Sequence, residues 1–236
     1  MPEASTETPR LTALSRYAGP LGLRVYQSLR EAILTLAYRP GEMLRKGEIC
    51  DSLGVSRSPV ADAVARLAAE GLVRVVPQAG TFVARFSMAE IREGAFLREA
   101  IEVAAAERVA ATVTEDQLTL LRRNLRVQEA LVADGDNAGF YRLDAEMHAL
   151  VLQFTGFRRL AEVSETAWLH VNRARQIILP VPGRVEATLG EHRAIVAALE
   201  ARDPEAARRA VQVHLRQLLR YLEPLERDRP DLFDPA

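Results

Sequence analysis

The sequence predicts a mainly helical chain in two parts: a small helical unit closed by a β-hairpin, then an all-α antiparallel bundle. Three observations carry this. Apolar residues return at helical spacing along most of the chain, β-rich runs are confined to residues 73–85, and no proline occurs from Gln78 to Leu179. A chain of 236 residues with 48% apolar and 27% charged residues has room for two modest domains and is not wholly disordered. The single cysteine, Cys50, excludes an internal disulfide framework and suits a reducing compartment. No uncharged apolar run approaches the ~20 residues that span a bilayer. Glu3 and Glu7, with no apolar core beside them, do not fit a secretory signal. The expectation is a cytoplasmic protein without membrane contact.

Residues 1–20, with Pro2, Pro9 and Pro20 and few apolar side chains, read as a flexible tail. Leu21–Tyr38 repeats Leu21, Val25, Leu29, Ile33 and Leu36 at helical spacing until Arg39-Pro40-Gly41 stops it. A short helix follows over Gly47–Leu53, ended by Gly54. Another begins near Ser56–Pro59 and runs to Glu70, with Gly71 as its stop. Either Ser56 or Ser58 can cap it, and Pro59 is tolerated in a first turn whose N–H has no helical partner. Val73–Val76 and Thr81–Arg85 around Pro77-Gln78-Ala79-Gly80 read as a hairpin, closing a domain over 21–86.

Helical spacing then runs through about Ala89–Val113, Glu115–Ala133, Ala138–Phe154 and Arg158–Leu179, with Gly135 and Gly156 at joints. Pro180-Val181-Pro182-Gly183 breaks the run before Arg184–Ala201 and Pro204–Leu222. Asp203-Pro204-Glu205 supplies an N-cap, a first-turn proline and a first-turn acid. Short joints make helices over 87–225 antiparallel neighbours, and 226–236 reads as a second tail.

The net charge of −1 excludes a global basic field, but the halves differ. Residues 1–86 carry 11 basic and 8 acidic side chains; residues 87–236 carry 20 and 24. Two short helices joined through Gly54-Val55-Ser56, followed by a hairpin, make a winged helix-turn-helix pattern. Ser56, Arg57 and Ser58 stand at the N-terminus of the second helix, where free N–H groups suit a phosphate and an arginine can reach guanine O6 and N7. Arg45 and Lys46 can add phosphate contacts, and the wing tip Gln78–Gly80 can approach the minor groove. Periodicity alone leaves three packed helices with solvated arginines as an equal reading.

The runs Arg39-Pro40-Gly41-Glu42, Leu53-Gly54-Val55-Ser56-Arg57-Ser58-Pro59-Val60 and Arg66-Leu67-Ala68-Ala69-Glu70-Gly71-Leu72-Val73 closely resemble the DNA-binding domain of GntR-family bacterial regulators. The resemblance implies that Arg57, Ser56 and Ser58 read an operator, with Gly80 in the wing tip. Where the family commonly has arginine two residues after the proline, this chain has Ala61, followed by Asp62. One contact is therefore missing, worth about 1–3 kcal/mol if it is a bidentate pair to a base.

In the second half, Asp144 and His148 are i, i+4 on one helix, His192 stands among Ile195, Val196 and Leu199, and His214 adjoins Leu215. One carboxylate and three imidazoles converging in a bundle would suit a divalent transition ion. Spacing alone leaves open a helix-surface pair for Asp144 and His148, and ordinary core or surface histidines for the rest. His170 has no nearby carboxylate in sequence.

Asp144-x-x-x-His148, Glu191-His192-Arg193-Ala194-Ile195-Val196 and His214-Leu215 resemble the FCD effector domain of the FadR subfamily. The resemblance implies metal ligation by Asp144, His148, His192 and His214. It also implies that Arg98, with Glu102 four residues on, faces an acidic effector. Met147 stands where the family has an aromatic, and Phe157 follows Gly156 where it often has asparagine. Asn172 and Arg175 are further candidates for effector contacts.

Together these readings imply a homodimeric, ligand-responsive regulator, a repressor rather than an activator, on a pseudo-palindromic operator. A small carboxylate would bind at the metal, zinc first, with nickel or manganese as alternatives. The short link at Phe86–Glu93 would pass helix movement to the wing. The rivals are a metal-dependent enzyme and a DNA-binding protein whose metal is purely structural.

Overall fold

The computed structural model describes residues 11–160, 163–164, 168–178 and 180–234. These form two compact units, one reaching to Ser87 and joined by the segment from Arg229, the other Met88–Asp228.

In the first unit α1 (Leu21–Leu34) buries Val25, Ser28, Leu29, Ala32 and Ile33, the stripe that its sequence repeats. It stops short of the expected Tyr38. Leu36 turns left-handed at φ 60, and the Tyr38 N–H bonds back to the Ala32 carbonyl at 3.1 Å. α2 (Lys46–Leu53) ends at Gly54, whose φ of 64 is left-handed and suits glycine. α3 (Arg57–Ala69) packs on α1 through Val60, Ala63, Val64 and Leu67. Ser56 occupies its N-cap position, but no side-chain cap bond forms, and Ser58 lies inside the helix. The expected serine cap is therefore absent.

β1 (Val73–Val76) and β2 (Gly80–Val83) pair antiparallel, Val73 opposite Val83 and Val76 opposite Gly80. The Pro40-Gly41 stretch does more than stop α1. Gly41 donates to the Val83 carbonyl and Leu44 to that of Thr81, while Val83 donates to Glu42, so 41–44 lines the second edge of β2.

The described parts of both expected tails, 11–20 and 226–234, are tied into the fold. Residues 1–10 lie outside the described residues, but Leu14–Arg16 forms a 3-10 turn and the Ser28 hydroxyl donates to the Thr12 carbonyl at 2.8 Å. At the other end Phe86 donates to Leu232 and Asp234 donates to Phe86, both at 2.9 Å. Phe233 is buried, its ring centroid 5.6 Å from that of Phe86. Residues 235–236 lie outside the described residues, and over 226–234 the reading of 226–236 as a tail is thereby corrected. Two aromatic rings leaving water together supply the reason.

The second unit holds α4 (Met88–Thr112), α5 (Glu115–Ala133), α6 (Asn137–Phe154), α7 (Leu169–Ile178), α8 (Arg184–Glu200) and α9 (Pro204–Asp228). Thr114 and Gln117 cap α5 reciprocally. Asp136 caps α6 by accepting the Gly139 N–H at 2.7 Å, and a Cβ at Gly139 would press into the Asp136 carboxylate that makes the cap. α7 covers only part of the helix expected over Arg158–Leu179, and Leu179, 161–162 and 165–167 lie outside the described residues. The Asp203 carboxylate caps α9, which passes through Pro224 beyond its expected end at Leu222. α4 packs mainly on α9, α5 on α6, and α8 on both α5 and α9. Among the described residues no helix is long and apolar enough to cross a membrane.

Candidate functional site

The four candidate ligands lie on three helices. α6 presents Asp144 and His148 one turn apart, α8 presents His192 and α9 presents His214; all are buried. One ligand atom from each lies within 4.8 Å of the others. The His148 and His214 Nε2 atoms are 3.1 Å apart, and His192 Nε2 is 3.2 Å from Asp144 Oδ1. The Phe140 ring stacks parallel to His192, with centroids 6.1 Å apart.

The surroundings fix how these rings are protonated. His148 Nδ1 lies 2.6 Å from Glu102 Oε2, His214 Nδ1 2.7 Å from Glu191 Oε2, and His192 Nδ1 2.7 Å from Gln128 Oε1. The Gln128 amide is itself oriented. Asn124 donates to the Leu143 carbonyl, so its oxygen faces Gln128 Nε2 at 2.7 Å and leaves Gln128 Oε1 for the histidine. Each Nδ1 therefore carries the proton, and each Nε2 points an unshared lone pair inward. Burial holds His192 and His214 well below the ordinary imidazole range, and lowers His148 as well. Burial by itself would raise Glu102, but Arg98 and His148 outweigh it and hold it at about 2.

Lone pairs facing lone pairs at these distances repel unless a positive centre lies among them. Asp144 Oδ1 and His192 Nε2 are also buried without a hydrogen-bond partner among the described residues. The donor set thus fits a divalent ion: three neutral imidazoles, one carboxylate oxygen, and an outer acceptor for every ring. Arg175 pairs with Asp144 Oδ2, leaving Oδ1 to face the rings.

Beside this cluster lies a small cavity that opens to solvent. Arg98, Arg175, Arg184, Thr188 and His214 line it, with an apolar wall from Ile178, Leu215 and Leu218. Arg98 donates to Glu102 at 2.5 Å and lies 5.3 Å from the Trp168 ring centre. Asn172 stands outside the cavity wall, and its carbonyl accepts the Tyr141 hydroxyl at 2.6 Å. His170 lies apart from the cluster, its Nδ1 3.6 Å from Glu90. Met147 is buried with its sulfur 3.9 Å from Gln128 Nε2, while Phe157 is exposed beneath Arg108.

Gln128, Glu191 and Arg184 stand outside the residues the sequence pointed to. A signal existed for Gln128: with Asn124 it puts two amides on the buried stripe of α5, beside Leu121.

In the first unit Ser56, Arg57 and Ser58 are exposed at the start of α3, as are Gln78 and Gly80 at the hairpin tip. Gln78 has a φ of 61. Arg45 and Lys46 are exposed at the start of α2, where Arg45 pairs with Glu48 at 3.1 Å. Ala61 and Asp62 share the exposed face of α3.

Known proteins match both parts. Residues 21–83 match the bacterial regulatory proteins of the gntR family, and residues 93–217 match the FCD domain. The HTH-type transcriptional repressor RspR of Escherichia coli K12 is 32% identical over 214 residues, covering 91% of this chain and 94% of its own. An HTH-type regulator from an unstable DNA locus of Streptomyces ambofaciens is 34% identical, covering 89% and 88%. The solved structure of E. coli McbR/YncC shares the fold with a TM-score of 0.74 at 20% identity, over 88% of this chain and 99% of that one. The matching relatives are transcriptional regulators, which sets aside the reading as a metal-dependent enzyme.

Proposed function

Because the chain belongs to the GntR family of bacterial regulatory proteins and its second part is an FCD domain, we propose that it is a homodimeric cytoplasmic repressor whose operator affinity is set by a small organic acid. The observation that carries the effector half is the ring of inward lone pairs beside an arginine-lined cavity. Asp144 Oδ1 and the Nε2 atoms of His148, His192 and His214 would hold the ion, zinc before nickel or manganese. When bound, it supplies a Lewis-acid anchor for a carboxylate oxygen. Arg98 meets the charge of that ligand, while Arg175 keeps Asp144 turned toward the rings.

On the DNA side, Arg57 reads a base edge, while Ser56, Ser58, Arg45 and Lys46 seat on phosphates and Gln78–Gly80 approaches the minor groove. A twofold dimer matches a twofold operator. α4, which carries Arg98 and Glu102, begins at Met88, directly after the first unit, so the effector side and the reading side are adjacent in chain. The ligand changes operator affinity by its differential affinity for the two states of the dimer.

The test is binding of the full-length zinc-loaded protein to its own upstream DNA, followed by fluorescence anisotropy across a salt series. We expect salt-dependent, sequence-specific binding that added organic acids weaken. Arg57→Ala abolishes specific binding, whereas His192→Ala keeps it but loses metal and response. Full metal content and full response in His192→Ala would falsify the assignment. Specific binding that no acid alters leaves the purely structural metal instead.

A further inference from the structure

Two matched chains of contacts run from the cavity to the metal cluster. Arg98 Nε donates to Glu102, which holds His148 Nδ1 at 2.6 Å. Arg184 grips Glu191 with both terminal nitrogens, at 2.7 and 3.0 Å, and Glu191 holds His214 Nδ1 at 2.7 Å. Both arginines line the same cavity. We propose that Arg98 and Arg184 form a two-guanidinium subsite for an organic dianion, and that Arg184 also positions His214 through Glu191. This rests on reading the cavity as an organic-acid site beside a metal.

Three observations support it. Arg184 is 4% exposed, yet its Nε has no hydrogen-bond partner among the described residues, although it belongs to the cavity wall. A buried guanidinium N–H in that position calls for an acceptor from outside the protein. The plane of Arg184 is fixed, since the Glu191 fork holds one edge and the Tyr221 ring lies 5.2 Å away.

The charge count gives the class of ligand. Arg98, Arg175 and Arg184 are matched by Glu102, Asp144 and Glu191, and the three imidazoles count as neutral because each keeps one proton on Nδ1 and offers Nε2 as an unprotonated ligand atom. Within the cluster and the cavity wall these charges therefore cancel. A divalent ion leaves two positive charges without compensation, which two carboxylates restore and one does not. The apolar wall of Ile178, Leu215 and Leu218 suits the carbon chain between them.

The experiment uses full-length zinc-loaded protein and calorimetric titration with malonate, succinate and glutarate against acetate, propionate and butyrate. The best diacid should bind about tenfold or more tighter than the best monoacid. Arg184→Gln should bring the two within about twofold, because the monoacid keeps its metal anchor. Zinc affinity, read without any acid by competition with a chromophoric chelator, should fall about tenfold in Arg184→Gln and Arg184→Lys alike, since neither keeps the fork on Glu191. Arg184→Lys should keep part of the diacid preference, and Arg193→Gln, an exposed change on the same helix, should alter neither quantity. If Arg184→Gln does not fold, Arg184→Lys decides through its zinc affinity. Equal binding of diacids and monoacids by the unaltered protein, or unchanged zinc affinity in Arg184→Lys, overturns the proposal while the organic-acid reading stands. Binding of neither class overturns both.

Discussion

In the first unit Arg45, Lys46 and Arg57 stand in solvent; in the second, Arg98, Arg175 and Arg184 are at most 7% exposed and each grips a carboxylate. The contrast follows from what each must meet. A helix that reads DNA exchanges hydration for phosphate and base edges on binding, so its cations must lie at the surface and be cheap to unpair. A cluster that holds an ion within apolar helices has no water to fall back on, so every charge there needs its opposite. Changes at the exposed residues should therefore alter binding without altering the fold. Changes in the buried cluster should alter the stability of the bundle together with its metal and acid binding, and leave DNA contacts in place.

The strongest way to break this comparison is Asp144→Ala, which leaves the buried Arg175 guanidinium without its ion-pair partner. Metal-free protein should lose about 3–5 kcal/mol of bundle stability in urea. Trp168, the only tryptophan, is buried in the bundle and reports the transition by fluorescence. A loss below about 1 kcal/mol would mean that water reaches the cluster freely.

A smaller effect separates the units by pH. Glu102 sits at about 2 against its usual 4.5, so the unfolded chain takes up its proton first, and that stability is lost as pH falls from 4.5 toward 2. His192 and His214 are lowered from 6.5, so unfolding already takes up protons below that pH and the acid limb begins there. In the first unit burial raises Tyr38 from 10.0 to about 12, with Glu42 and Glu48 adding to it. The unfolded chain releases that proton first, so this stability is lost as pH rises from 10 to 12. Fluorescence of Trp168 in acid and tyrosine absorbance in alkali should place the two limbs in different units; a single shared limb would remove the distinction.

The smallest expected effect is that of Arg57→Ala on the fold. An exposed side chain at the start of α3 should change stability by less than about 0.5 kcal/mol in the urea experiment, although specific DNA binding is lost. A larger loss would show that Arg57 supports its own unit.

The same contrast decides what could be read from the chain. Gly54, Gly71 and the Pro77–Gly80 turn punctuate the first unit locally, so its helices and hairpin were legible from neighbouring residues alone. Asp144 and His148 were legible as a pair because one helical turn aligns them. Their outer contacts were not. Glu102 reaches His148 across 46 positions and Gln128 reaches His192 across 64, and no periodicity within one helix encodes such a meeting. Arg184 looked like an ordinary residue after the Pro180–Gly183 break, because its partner Glu191 lies two turns on and its cavity is built from other helices. The end of α1 was misread for a related reason. A non-glycine residue, Leu36, takes the left-handed turn that glycine would have announced.

The clasp between Phe86 and Phe233 bears on the order in which the protein can be made. The segment from Arg229 that completes the unit carrying α3 follows the bundle in the chain, so it is synthesised only after the bundle helices. On the ribosome, residues 11–87 emerge early but must wait about 7–30 seconds, at ~5–20 residues per second, for the segment that finishes them. A nascent chain halted before residue 229 would thus carry α3 on an incomplete platform, and translation itself would delay when this regulator becomes competent.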